Sequence, residues 1–164
     1  MNEESLQDPA PDRPPALHVV LYQPEIPYNA GSVGRTCVAV GAKLWLVRPL
    51  GFQIDDRRLR RAGLDYWQHL RWEAVDDWKA LQARLPEARY WLFSKKATAV
   101  YTEAEYSPGD VLVFGSESQG LPPSIIGAHT DRCLRIPIDP NARSLNLSVS
   151  VAVIAFEAQR QWAG

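Results

Sequence analysis

The stretch that decides the fold is Leu17 to Arg48, LHVVLYQPEIPYNAGSVGRTCVAVGAKLWLVR. It opens on a nearly continuous apolar run, breaks at Gln23-Pro24, holds a helical stretch over 29–40 and returns to an apolar run at Lys43. Strand, loop, helix, strand is a βαβ unit, and strands apolar on both faces belong inside a parallel sheet. The same reading extends outward. Tyr90 to Ser94 (YWLFS), Val111 to Phe114 (VLVF) and Cys133 to Ile138 (CLRIPI) are further short runs bounded by Gly, Pro or charge, which predicts strands. Helices are expected over 29–40, 55–61, 73–84 and 122–128. This alternation predicts an α/β fold, a mostly parallel sheet with helices on both faces.

The last segment is ambiguous by period. Val149, Val151 and Val153 alternate with Ser148, Ser150 and Ala152, as in a strand, yet 146–162 contains no Gly or Pro. Its length decides for a helix. Up to Ala158 its only charge is Glu157, so the helix is expected to be buried almost all round. Such a terminal helix needs a partner surface, and a second subunit suits it.

Composition narrows the class. The chain has 164 residues, 46% of them hydrophobic and 23% charged, which suits a single domain. At that size roughly two-thirds of the surface can be buried, so no metal or disulfide is needed to hold the fold. Cys37 and Cys133 lie far apart and outside any C-x-x-C, which excludes a disulfide scaffold and a zinc ribbon. No apolar run approaches 18 residues, and the acidic, Pro-rich start is unlike a signal peptide. A soluble, cytoplasmic protein is expected. The net charge of −1 divides unevenly: residues 1–16 carry Glu3, Glu4, Asp8 and Asp12 against Arg13, leaving +2 on the remainder. Residues 1–16 read as a disordered tail and 17–164 as the domain, mildly basic, so that a nucleic-acid site would be a local patch.

Several chemistries fall away. Gly115-Ser-Glu-Ser-Gln-Gly120 has the glycine spacing of a phosphate loop, but Leu121-Pro122 replaces the required Lys-Ser/Thr. Around Ser118 a nucleophile elbow would need Gly at Ser116. No G-x-G-x-x-G follows the first strand. His18, His69 and His129 have no ligand spacing and read as surface or strand-edge residues, so no metal is expected.

Three clusters remain. Asn29-Ala-Gly31-Ser-Val-Gly34-Arg35 follows the first strand; Asn29 suits a helix cap, and Gly31 and Gly34 allow close approach to the first turns. Phe114-Gly115-Ser116-Glu117-Ser118-Gln119-Gly120-Leu121-Pro122 is a strand end, a glycine turn, a carboxylate and a Pro-started helix, at the strand end where ligands bind in open α/β sheets. Ile136-Pro-Ile-Asp-Pro-Asn-Ala-Arg143-Ser144-Leu145-Asn146-Leu147-Ser148 is a strand end and polar turn leading to short polar side chains at a helix N-terminus.

In this order, N-x-G-x-x-x-R, F-G-x-E-x-x-G-L-P and I-P-I…R-S-L-N-L-S-V-S-V-A, the clusters resemble the three motifs of the SPOUT class of RNA methyltransferases. With Asp55-Asp-Arg-Arg-Leu-Arg-Arg-Ala-Gly-Leu-Asp-Tyr66 they resemble its minimal single-domain members, which methylate the ribose 2′-oxygen of the tRNA wobble nucleotide. The resemblance spans Leu17 to Trp162. It implies a C-terminal trefoil knot, S-adenosylmethionine as methyl donor and no metal. It implies tRNA as partner, leucine isoacceptors being the expected substrates, with neither DNA nor a membrane, and a homodimer paired through the last helix and the one at Asn29. By position, Phe93, Gly115, Ile136 and Ser144 hold the cofactor, while Arg35, Asn29 and Glu117 are the catalytic group. Arginine stays protonated, so Arg35 suits stabilisation of a developing oxyanion and clamping of a phosphate rather than service as a base. Two positions depart from the family pattern, Val149 where relatives carry Asn and Phe156 where they often carry Tyr.

For the RNA surface, Arg57, Arg58, Arg60 and Arg61, with Arg48 nearby, and Lys95-Lys96 suit phosphates. Tyr66, Trp67 and Trp72 suit either base stacking or core. Two rivals stay open at this point, the same transfer to another RNA such as ribosomal RNA, and a non-catalytic RNA-binding module that keeps the fold.

Overall fold

The computed structural model describes residues 13–55, 57–62 and 66–163. Seven strands form one sheet: β1 (Leu17–Tyr22), β2 (Ala42–Val47), β3 (Arg71–Val75), β4 (Tyr90–Phe93), β5 (Ala99–Val100), β6 (Val111–Phe114) and β7 (Cys133–Arg135), in the order β3-β2-β1-β6-β4-β7-β5. Every neighbouring pair is parallel. Among the described residues four α-helices lie between strands, α1 (Pro27–Val40), α2 (Arg57–Ala62), α3 (Trp78–Arg84) and α4 (Pro123–Gly127), and α5 (Leu147–Ala163) follows β7.

Strand alternation sends side chains to two cores. Leu17, Val19 and Leu21 of β1 join Leu44, Leu46, Leu112 and Phe114 beneath α1 and α5, whereas Val20 joins Trp45, Val47, Val113 and Leu92 beneath α3 and α4. Both faces are covered, which is why the strands read as continuous apolar runs.

The crossing from β1 to β6 sets up everything that follows. These strands are adjacent in the sheet although far apart in sequence, with Leu21 beside Phe114; Phe114 in turn lies beside Phe93, and Phe93 beside Leu134. The carboxyl ends of β1, β6, β4 and β7 therefore end at one level. In open α/β sheets ligands bind in the crevice at such a switch point.

Three expectations need correction. The helix expected over 73–84 begins only at Trp78; Arg71–Val75 is a strand paired with β2, and burial of Trp72 and Val75 outweighs helical propensity there. The boundary signal was present, since the Asp77 side chain accepts from the Ala80 N–H at 2.8 Å as an N-cap. The two-residue β5 is a strand that the sequence pattern does not predict, because it lacks the length a pattern needs. Helix α1 starts at Pro27, so Asn29 lies inside it rather than capping it.

Helix α5 is likewise not buried all round. Leu147, Val151, Ile154, Ala155 and Ala158 face inward, whereas Val149 and Phe156, seven residues apart and hence on one face, are each 48% exposed. The helix carries two apolar stripes. Both departures from the family pattern fall on the outer one.

His18 is not a strand-edge residue, because β1 lies between β2 and β6. Its Nδ1 accepts from the Trp45 indole N–H at 3.0 Å, which requires the neutral ring. Burial, reinforced by the Lys43 charge, lowers its pKa to about 4 from the ordinary 6.5. The unfolded imidazole then takes up a proton near pH 6.5, where the folded one does not, so His18 costs stability progressively as pH falls from 6.5 towards 4. Between pH 7 and pH 4.5 the His18→Gln variant should lose about 2 kcal/mol less stability than the wild type, measured by urea unfolding; parallel losses would refute the assignment.

Candidate active site

A cleft of about 520 Å³ opens at the carboxyl ends of the central strands. Its floor is Phe93 and Phe114, whose rings stack with centroids 4.9 Å apart and planes at 15°. Gly115 to Leu121 form one wall, Ile136 and Ile138 another, and Ser144 to Leu147 the rim. Of the seven residues singled out from sequence, six line this cleft: Asn29, Phe93, Gly115, Glu117, Ile136 and Ser144. Arg35 does not.

The wall at Gly115 has no room for a side chain, because a Cβ there would fall on the main chain of Gly120 and Leu121. The turn is closed by the Gly120 N–H donating to the Ser116 carbonyl at 2.9 Å, and Gly120 has φ +67°, which glycine accommodates without a steric penalty. The space a Gly115 side chain would need is taken by the turn's own main chain, and the cleft beside it has an apolar floor. A flat heteroaromatic ring fits between such surfaces.

One polar network ties the three sequence clusters together. The two Glu117 oxygens accept from the main-chain N–H groups of Glu25 at 2.9 Å and Ile26 at 2.7 Å. Helix α1 has no side-chain cap of its own, so a carboxylate 91 residues away in sequence serves its exposed N-terminal donors. The contact is reciprocated: the Glu25 carboxylate accepts from the Ser118 N–H at 3.0 Å and its hydroxyl at 2.6 Å. Those bonds hold the Glu25 carboxyl below its usual range.

Asn29 completes the network. It is only 5% exposed, its amide donates to Glu117 Oε2 at 3.3 Å, and its oxygen accepts from Asn146 Nδ2 at 3.1 Å. Asn146 Oδ1 in turn accepts from the Ser148 N–H at 2.9 Å and its hydroxyl at 2.6 Å, capping α5. Asn146 carries the link to the third cluster, a role the sequence reading left within generic helix capping.

Arg35 is exposed on α1, its guanidinium carbon 4.8 Å from the centre of the Tyr66 ring. The close approach expected at Gly34 is made by the chain itself, since a Cβ there would stand 2.9 Å from Leu70 Cδ2 and 3.6 Å from Trp67 Cζ3. Trp67 and Trp72 are core, 5% and 8% exposed. Lys95 and Lys96 are exposed and line the cleft, and Arg57 and Arg61 are exposed on α2. Arg48 lies 3.6 Å from Asp76. Asp56, the side chain of Arg60, Gly63 to Asp65 and most of the acidic tail lie outside the described residues. Among the described residues no group of three or more His, Cys, Asp or Glu side chains is arranged to hold a metal, and no helix is long and apolar enough to cross a membrane.

Comparison with known proteins gives a consistent picture. The model of the SpoU rRNA methylase family matches residues 16–156. A Saccharophagus degradans protein named tRNA (cytidine(34)-2′-O)-methyltransferase is 46% identical over 152 residues, covering 88% of this chain and 95% of the relative. A solved structure described as "Structural insights into the 2-OH methylation of C/U34 on tRNA" superposes with TM-score 0.86 at 49% identity, over 90% of this chain and 97% of that one. An AdoMet-bound rRNA methyltransferase from Sinorhizobium meliloti shares the fold at TM-score 0.82 and 24% identity, over 95% of this chain and 61% of its own.

The Asn29 network makes a charge-specific prediction. Asn29→Asp sets a second carboxylate against Glu117, and like charges at that distance oppose ionisation. The variant should be destabilised by about 2 kcal/mol or more at pH 7 and recover part of that near pH 4, where one carboxyl takes a proton. Thermal melts at the two pH values check this, and an unaltered melting temperature would show that the two side chains are not coupled.

Proposed function

The chain belongs to the SpoU rRNA methylase family, and on that footing we propose that it is a tRNA methyltransferase that moves the methyl group of S-adenosylmethionine to the ribose 2′-oxygen of the wobble nucleotide, cytidine or uridine 34. The observation that carries the reading is the convergence of all three sequence clusters on one cleft, joined by the Glu117–Asn29–Asn146 network. The names of relatives covered along nearly their whole length support the substrate. Ribosomal RNA and a non-catalytic role are less well supported, because those relatives are tRNA enzymes and the cleft keeps its residues. As an enzyme of tRNA modification it is proposed to work in the cytoplasm.

S-adenosylmethionine supplies an electrophilic methyl group on a sulfonium. Phe93, Gly115 and Ile136 suit its adenine through apolar surface and exposed main chain, and Ser144 offers a hydroxyl at the rim. The 2′-oxygen attacks in line as the O–C bond forms, the S–C bond breaks and the hydroxyl proton leaves to water. The chief task of the protein is alignment, which supplies several kcal/mol of barrier reduction. Glu117 and Asn29 contribute by fixing the loops on either side of the cleft. Arg35 contributes a guanidinium that stabilises charge on the attacking oxygen and holds the adjacent phosphate.

Because Arg35 lies outside the cleft lining, the active unit is a homodimer in which Arg35 of one subunit serves the cleft of the other. Two apolar surfaces support the pairing, Val149 and Phe156 on α5 and Tyr28 on α1, Tyr28 being 58% exposed. Tyr28 and Arg35 are seven residues apart and share a helix face. The trefoil knot belongs to the same reading; α5, after β7 near one sheet edge, returns to pack on α1 and β6.

Purified protein given methyl-labelled S-adenosylmethionine with bulk tRNA or with ribosomal RNA should place label in 2′-O-methylated nucleotide of the tRNA, and label only in ribosomal RNA would refute the tRNA assignment. Arg35→Lys keeps the charge but loses the planar fork; transfer should fall by about 10²-fold with cofactor affinity unchanged, and near-normal turnover would reduce the motif to structure. Even Gly115→Ala should abolish cofactor binding in calorimetry, since its Cβ meets main chain and forces the wall open.

The dimer is tested on the outer stripe of α5. Phe156→Glu should yield a folded, inactive monomer in sedimentation, whereas Ala155→Glu, at a fully buried position, should unfold the subunit instead. A wild-type monomer with full activity at micromolar concentration would overturn the pairing.

A further inference from the structure

We propose that Tyr66 is a positioning residue for Arg35, its ring holding the guanidinium plane in the orientation that methyl transfer uses. The proposal rests on the role given to Arg35 above. The guanidinium carbon stands 4.8 Å from the Tyr66 ring centre, within the range of a cation–π contact. Both side chains are exposed, Tyr66 at 36%, so the contact is not a by-product of core packing.

The chain builds this contact through the residue preceding Arg35. Gly34 lacks the Cβ that would meet Leu70 at 2.9 Å and Trp67 at 3.6 Å. The short turn after Tyr66 therefore seats directly on α1, with Trp67 5% and Leu70 2% exposed as its anchors. That turn is closed by the His69 N–H on the Tyr66 carbonyl at 2.9 Å and the Leu70 N–H on the Trp67 carbonyl at 3.1 Å. Anchored on one side by Trp67 and Leu70, it presents Tyr66 on the other, over the next residue of the helix. Adjacent residues Gly34 and Arg35 thus have complementary tasks, one docking the turn and the other lying under its aromatic ring. An arginine on a solvent-facing helix surface otherwise samples many rotamers, and a stacked ring restricts them without consuming the N–H donors that the oxyanion and phosphate need.

The test uses the full-length protein with ¹⁵N-labelled arginine and three forms: wild type, Tyr66→Phe and Tyr66→Leu. In the wild type the Arg35 Nε–H resonance should show a ring-current shift and restricted motion, and Tyr66→Phe should keep both. Tyr66→Leu should lose both, with kcat on tRNA lowered between about threefold and tenfold, and with KM for tRNA, cofactor affinity and melting temperature unchanged. Restoration of kcat by phenylalanine separates the ring face from the hydroxyl. An Arg35 resonance indifferent to Tyr66→Leu would overturn the proposal. So would a raised KM for tRNA at unchanged kcat, which would make Tyr66 an RNA contact. Absence of methyl transfer to tRNA by the wild type would instead overturn the function, and the resonance comparison would still decide the contact by itself.

Discussion

The Glu117 carboxylate on the exposed N–H groups at the start of α1 is the contact on which the rest of the site depends. Sheet order brings the loops after β1 and β6 to neighbouring positions, but adjacency alone leaves two mobile loops. Glu117 fixes one to the other, and Glu25 returns the contact through Ser118. These bonds are near solvent, where each adds little to global stability. Their value is geometric: the wall at Gly115 and the first turn of α1 keep one separation.

Asn29 extends that constraint to the third cluster. A buried side-chain amide has both a donor and an acceptor to satisfy, and here Glu117 and Asn146 each take one end. An aspartate would lose the donor, and a leucine both. The asparagine is thus required by its two unlike partners, and through Asn146 the start of α5 is tied to the same point as the start of α1.

Much of this was legible in the sequence, and the limits have physical causes. Continuous apolar runs such as Leu17–Tyr22 and Val111–Phe114 announce themselves because both faces of the sheet are covered. Arg71–Val75 does not, since its alternation covers too few residues to outweigh a helical reading and its pairing with β2 is non-local. Six of the seven singled-out residues line one cleft because strand ends and glycine turns are local signals. Arg35 belongs to the motif but does not line the cleft, a fact about helix phase that motif spacing does not express. The uniform apolarity of α5 suggests burial all round, whereas one buried and one exposed apolar stripe produce the same composition. Gly34 shows a similar limit: a glycine signals close approach without saying what approaches, and here it is the Trp67–Leu70 turn.

The central claim is that this cleft carries out methylation of the wobble ribose. The most direct measurement is a map of 2′-O-methylation in tRNA from a strain lacking this protein, compared with its parent and with the strain complemented by wild type and by Arg35→Lys. The account predicts that the methyl group at nucleotide 34 disappears from a subset of tRNAs, returns with the wild type and does not return with the variant. Retention of that methyl group in the deletion strain, or loss confined to ribosomal RNA, would contradict it.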